Sequence, residues 1–122
     1  MADITKAQIS ARLLLTRNGL ELYNGEFYGS KDDYTRMAQG RAVLGLSQVT
    51  PQQIDLGDIG ASNPGKKLLL VTSNKILVGI NGTTNMIEVS AMISMTAESI
   101  TSLYVQNESA TVEPAVIFAV TD

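Results

Sequence analysis

Met86-Ile87-Glu88-Val89-Ser90-Ala91-Met92-Ile93-Ser94-Met95 alternates, with Ile87, Val89, Ala91, Ile93 and Met95 on one side and Glu88, Ser90 and Ser94 on the other. A strand sends successive side chains to opposite faces, so this period of two predicts a strand buried on one face. Met86 and Met92 fall outside the buried stripe. Because Met packs adaptably, both are candidates for a contact between subunits.

The reading extends in both directions from there. Upstream, residues 66–72 and 75–80 are aliphatic and β-branched runs. The short Ser73-Asn74 between them reads either as a hairpin turn or as a bend within one long strand. Asn81-Gly82 follows Ile80 directly and predicts a hairpin turn, since such turns need positive φ. Downstream, residues 100–106 and 112–120 read as two further strands. The last is apolar on both faces, with Val116, Phe118 and Val120 on one and Ala115, Ile117 and Ala119 on the other. That pattern predicts a central strand or one covered by a partner, with Pro114, which lacks an amide donor, at its beginning.

The first half is less regular. Asn18-Gly19 and Asn24-Gly25 divide it into residues 11–17, 20–23 and 26–29, a small meander, although residues 4–15 also suit a short helix. Residues 30–40 read as a polar connector with one helical turn beginning near Ser30 or Asp32. Residues 47–65 hold two prolines, with Ile54-Asp55-Leu56 a short strand inside. The whole predicts an all-β chain: a single β-sandwich or barrel-like domain of six to eight short antiparallel strands. Residues 46–122 form its core, and residues 1–45 are an N-terminal arm or small β-meander that can join the same core. As an arm, this segment would pair with a neighbouring subunit by adding a strand to an exposed edge; otherwise it completes its own sheet.

Composition narrows the chemistry. With 122 residues, 44% apolar and 17% charged, the chain has the make-up of one globular domain. It has no Cys and no His, which removes disulfides, thiolate metal sites and the commonest neutral-pH general base. Residues 1–45 carry six basic and five acidic groups, and residues 46–122 carry three and seven. Lys and Arg are nowhere concentrated, so nucleic acid is a poor partner. No apolar run is long enough to cross a bilayer, and Met1-Ala2-Asp3-Ile4-Thr5-Lys6 has neither the basic region nor the apolar run of a secretory signal, which predicts synthesis in a cytoplasm.

Reactive constellations are weak. Asp32-Asp33 reads as a cation site or, more simply, as a solvated loop in which one carboxylate caps a turn. Asp55 and Asp58 hint at Ca²⁺ without a regular ligand ladder. Ser and Thr are abundant, but no Ser-x-x-Lys or Gly-x-Ser-x-Gly pattern activates one, and no spacing selects a carboxylate pair for glycoside hydrolysis. Asn81-Gly82-Thr83 and Asn107-Glu108-Ser109 match the glycosylation pattern and read as turns. No catalytic residue, metal or cofactor is expected. Tyr23, Phe27, Tyr28 and Tyr34 lie within twelve positions, and they form either a recognition surface or a cap on one open end of the sandwich.

Five stretches carry a family resemblance: Ile54-Asp55-Leu56-Gly57-Asp58-Ile59, Lys67-Leu68-Leu69-Leu70-Val71-Thr72, Ile76-Leu77-Val78-Gly79-Ile80-Asn81, Ser102-Leu103-Tyr104-Val105-Gln106-Asn107 and Ala115-Val116-Ile117-Phe118-Ala119-Val120. Over residues 52–122 the chain resembles small β-sandwich virion proteins of tailed bacteriophages, in which a Leu-Tyr-Val-x-Asn run closes the sandwich and a short apolar strand ends the chain. The resemblance implies a non-catalytic role in the virion. The leading expectation is a capsid decoration or cement protein, with a head-tail connector or a tail component as alternatives. It also implies homo-oligomers and other virion proteins as partners. Tyr23, Phe27, Tyr28, Tyr34, Met86 and Met92 are the candidate interface, and a carbohydrate- or receptor-binding module is the alternative from another class.

Overall fold

The turn chemistry of the first half settles its local structure. The structure is a computed structural model that describes residues 6–29 and 31–122, and at Ala11, Phe27 and Glu98 the backbone alone. Within the unit Met1–Tyr34, β1 (Lys6–Ala7), β2 (Ser10–Arg17), β3 (Leu20–Tyr28) and β4 (Asp32–Asp33) form two antiparallel pairs, β1 with β4 and β2 with β3. Asn18 and Gly19 hold φ of 51° and 78°, the positive pair that a two-residue type I′ turn demands, and they join β2 to β3.

Asn24-Gly25, by contrast, is not a turn. It lies inside β3, where Gly25 pairs with Leu13 and leaves room for the Tyr23 ring, so one long ribbon replaces the expected meander. The helical reading of residues 4–15 gives way to strand from Ser10 onward, and residues 1–5 lie outside the described residues. The helical turn expected near Ser30 or Asp32 is also absent among the described residues: Asp32 belongs to β4, and Ser30 lies outside them.

The unit Thr35–Asp122 holds eight strands: β5 (Met37–Val43), β6 (Gln52–Ile54), β7 (Gly65–Thr72), β8 (Ile76–Ile80), β9 (Ile87–Val89), β10 (Met92–Ile100), β11 (Leu103–Gln106) and β12 (Ala115–Thr121). One sheet runs β10-β7-β12-β5 and the other β6-β11-β8-β9, all neighbours antiparallel. In order along this unit, the first sheet holds its first, eighth, third and sixth strands and the second holds its second, seventh, fourth and fifth. That is the order of a jelly roll, an eight-stranded sandwich built from two Greek keys. The expected sandwich is therefore present, and it is open rather than a closed barrel.

The two sheets enclose one core. Leu68 and Leu70 of β7 and Val116, Phe118 and Val120 of β12 share it with Ile76 and Val78 of β8 and Leu103 and Val105 of β11. Burying each such side chain contributes about 1.5–3 kcal/mol. As expected, β12 is central, and buried Pro114 precedes it, giving its carbonyl to the Leu44 amide at 2.9 Å.

The alternating stretch 86–95 is two strands, not one. β9 and β10 belong to different sheets, and the chain crosses between them at Ser90-Ala91. Residues 100–106 likewise divide at Thr101-Ser102. Ser73-Asn74 is a third crossing, held where Ser73 donates its amide to the Ala115 carbonyl and accepts the Ala115 amide on its Oγ.

A turn does follow β8 at Asn81-Gly82, but it is a wide loop, since β9 begins only at Ile87. The loop folds back over β8: a Cβ at Gly79 would run into the Gly82 carbonyl oxygen. Asn81 ties it to the crossing at Thr101-Ser102, its Oδ1 accepting the Thr101 amide at 2.6 Å and its Nδ2 donating to the Ser99 carbonyl at 2.8 Å. β6 ends two residues before Leu56 because Asp55 Oδ1 captures the Gly57 amide at 2.9 Å, turning the chain so that Leu56 and Ile59 enter the core.

Candidate interaction surfaces

Register sorts the β2–β3 ribbon into two unlike faces. Directly paired residues share a face, so Ser10, Arg12 and Leu14 lie with Tyr28, Glu26 and Asn24, whereas Leu13 and Leu15 lie with Gly25 and Tyr23. The first face is mostly polar and bonded within itself. Arg12 Nε donates to Asn24 Oδ1 at 2.8 Å, and the Tyr28 hydroxyl donates to Glu26 Oε2 at 2.5 Å. That bond to the Glu26 carboxylate raises the Tyr28 pKa above its ordinary value, with a smaller contribution from desolvation. The second face is apolar and open: Leu13 is 50% exposed, Leu15 48% and Tyr23 43%.

The six residues expected at an interface do not form one surface. Tyr23 and Tyr28 stand on opposite faces of the ribbon. Phe27 pairs with Ala11, and its side chain lies outside the described residues. Tyr34 is half-buried. Met86 is half-buried over Gly79 in the loop between β8 and β9, whereas Met92 is exposed at the start of β10 in the other sheet. Asp32 and Asp33 sit on β4, where neighbouring side chains diverge, and Asp33 is engaged by Lys6 at 2.6 Å.

Met92 does belong to a surface of its own sheet. The register aligns Met92 with Val71, Val71 with Ile117 and Ile117 with Arg41, so a single row crosses all four strands. The inward positions of these strands are Leu70, Val116 and Phe118, so Val71 and Ile117 face outward with Met92, each between 40% and 49% exposed. One step along, Val43 pairs with Ala115 and is exposed as well. Three adjacent strands thus present a continuous apolar band to solvent. Exposed apolar patches that are continuous rather than scattered mark contact sites. In the sequence, the signs of this band are Met92, which falls outside the buried stripe, and residues 115–120, which are apolar on both faces; nothing singles out Val71.

Comparison with protein-family models, curated proteins and solved structures finds no match.

A cleft of about 380 Å³ lies elsewhere on the sandwich, lined by Lys75, Leu77, Glu88, Gln106, Glu108 and Val112 among others. Lys75 Nζ and Glu88 Oε1 stand 3.7 Å apart there. The cleft offers hydrogen-bonding groups but, among the described residues, no aromatic ring on which a sugar could stack. Among the described residues, no group of three or more acidic side chains converges to hold a metal ion.

Proposed function

We propose that the chain is a non-catalytic structural component of a bacteriophage virion, a capsid decoration protein that attaches to neighbouring subunits of the particle. The observation that carries this reading is the outward band of Met92, Val71 and Ile117, an apolar strip across three paired strands. An outward-facing strip of this kind suits another protein surface better than a small ligand, which prefers a concave site. The jelly-roll order of the strands supports it, since capsid domains use that architecture. Fold alone does not set function, so the band rather than the topology bears the weight.

The test is mass spectrometry of particles purified from a lysate in which the gene is expressed. Decoration predicts the chain in the particles at a copy number comparable with the major capsid subunit. A few copies per particle would move it to the tail or connector, and presence in the lysate with absence from the particles would overturn the reading.

A second reading has one observation in its favour. Jelly rolls also serve as lectin domains, and Tyr28 is 67% exposed, available to stack on a sugar ring. A glycan that binds only the folded chain raises Tm with concentration. No shift across a glycan panel would remove this reading.

A further inference from the structure

We infer that the β2–β3 ribbon is the element by which copies of this chain associate with one another, the open face of Leu13, Leu15 and Tyr23 in each copy packing against the same face of its neighbours in a closed ring of three or more. The inference goes beyond the virion reading and does not depend on it.

The argument begins with the marginal stability of any two-stranded ribbon in water, where a third strand or a covering layer is needed for independent stability. This ribbon is two strands wide, yet it is long and firmly specified, with nine residues in β3 and a type I′ turn at Asn18-Gly19. One of its faces is mostly polar and carries the hydrogen bonds of Arg12 to Asn24 and Tyr28 to Glu26. The other carries Leu13, Leu15 and Tyr23, and Leu20 opposite Arg17 continues it toward the turn at 67% exposure. A ribbon so divided is half of a packed layer, and its apolar face requires an occupant.

Charge selects a second copy as that occupant. β2 carries Arg12 and Arg17 and no acid, whereas β3 carries Glu21 and Glu26 and no base. Setting the β2 edge of one ribbon beside the β3 edge of the next opposes basic and acidic side chains, and setting like edges together repels. The ribbon is therefore complementary to itself in the head-to-tail sense. Head-to-tail contacts give a ring of three or more where the rotation closes and a filament where it does not; a ring turns this face of every copy toward the common axis, burying Leu13, Leu15 and Tyr23 together with Arg17 at the end beside the turn.

The chain has no cysteine, so one introduced thiol reports only its own contacts. Two full-length variants, Leu15→Cys on the apolar face and Leu14→Cys on the polar face of the same strand, are exposed to a mild oxidant and run on a denaturing gel without reductant. The unsubstituted chain is weighed in parallel by light scattering over a hundredfold range of concentration. The inference expects a constant mass of at least three 13.0 kDa chains, with disulfide-linked pairs from Leu15→Cys severalfold in excess of those from Leu14→Cys. A monomer, a dimer, a mass that grows without limit, or equal cross-linking of the two variants would overturn it. Because both variants lie on one strand and differ only in face, misfolding of the ribbon appears as equal cross-linking and not as support. Failure here leaves the particle test of the virion reading untouched, and the reverse holds too.

Discussion

Asp122 and Arg36 hold each other reciprocally: the Asp122 carboxylate accepts the Arg36 amide at 2.9 Å, and the Asp122 amide donates to the Arg36 carbonyl at 3.1 Å. The Thr35 amide joins them at 2.8 Å. This clasp fastens the entry to β5 onto the end of β12, the two neighbours whose pairing completes one sheet.

The clasp makes stability depend on pH. Chiefly the Arg36 amide, and then the Thr35 amide and both side chains, hold the Asp122 carboxyl below the usual carboxylate range, with desolvation opposing them. A carboxyl lowered on folding contributes stability that is full above its unfolded pKa and is lost as pH falls through its folded one. Asp122→Asn is therefore expected to cost about 1 kcal/mol at neutral pH. Thermal melts of both proteins across the acid range should show the gap in Tm closing at low pH; a gap of constant size would contradict this account.

Asn107 is fully buried and bridges two loop carbonyls, its Nδ2 donating to Gly45 at 2.9 Å and to Val112 at 2.8 Å. Asn107→Leu leaves both carbonyls without these donors, and the expected loss is about 2–4 kcal/mol in urea unfolding. The same burial keeps this asparagine from acting as a glycosylation acceptor in the folded protein.

Two glycines should respond in opposite ways to alanine. Gly79→Ala drives a Cβ against the Gly82 backbone oxygen and is expected to destabilise by about 2 kcal/mol or more. At Gly45 nothing lies within 4 Å, so Gly45→Ala should be neutral or stabilise by up to about 1 kcal/mol. Melting temperatures of the two variants check both.

The apolar band should be dispensable for folding. Val71→Ser, Met92→Ser and Ile117→Ser each act on a side chain that is already about half exposed, and each is expected to change stability by about 0.5 kcal/mol, within the range of surface substitutions. A loss several times larger in urea unfolding would show that these residues serve the sandwich itself.

The strands were largely legible, because one-sided burial writes a period of two into the sequence. The crossings between sheets were not. Leu68, Leu70 and Thr72 before Ser73-Asn74 and Ile76 and Val78 after it keep the same phase, since both sheets face one core. Val89, Ile93 and Met95 do the same across Ser90-Ala91, so two strands read as one. β5 escaped notice for another reason: its inward residues are Ala38, Gly40 and Ala42, kept small beneath Phe118, whose ring would lie 3.1 Å from a Cβ at Gly40. Asn24-Gly25 misled because a glycine making room for a neighbouring ring looks the same in sequence as a glycine making a turn. The outward band was half visible in β12, but its partners Val71 and Met92 are set beside Ile117 only by register.

The virion reading requires attachment to a particle through the band of Met92, Val71 and Ile117. It is tested most directly by replacing the gene with the Ile117→Lys variant and quantifying the chain in purified particles and in the soluble lysate. The expected result is a folded, abundant protein in the lysate and a loss of at least tenfold from the particles. Unchanged incorporation of that variant would contradict the claim.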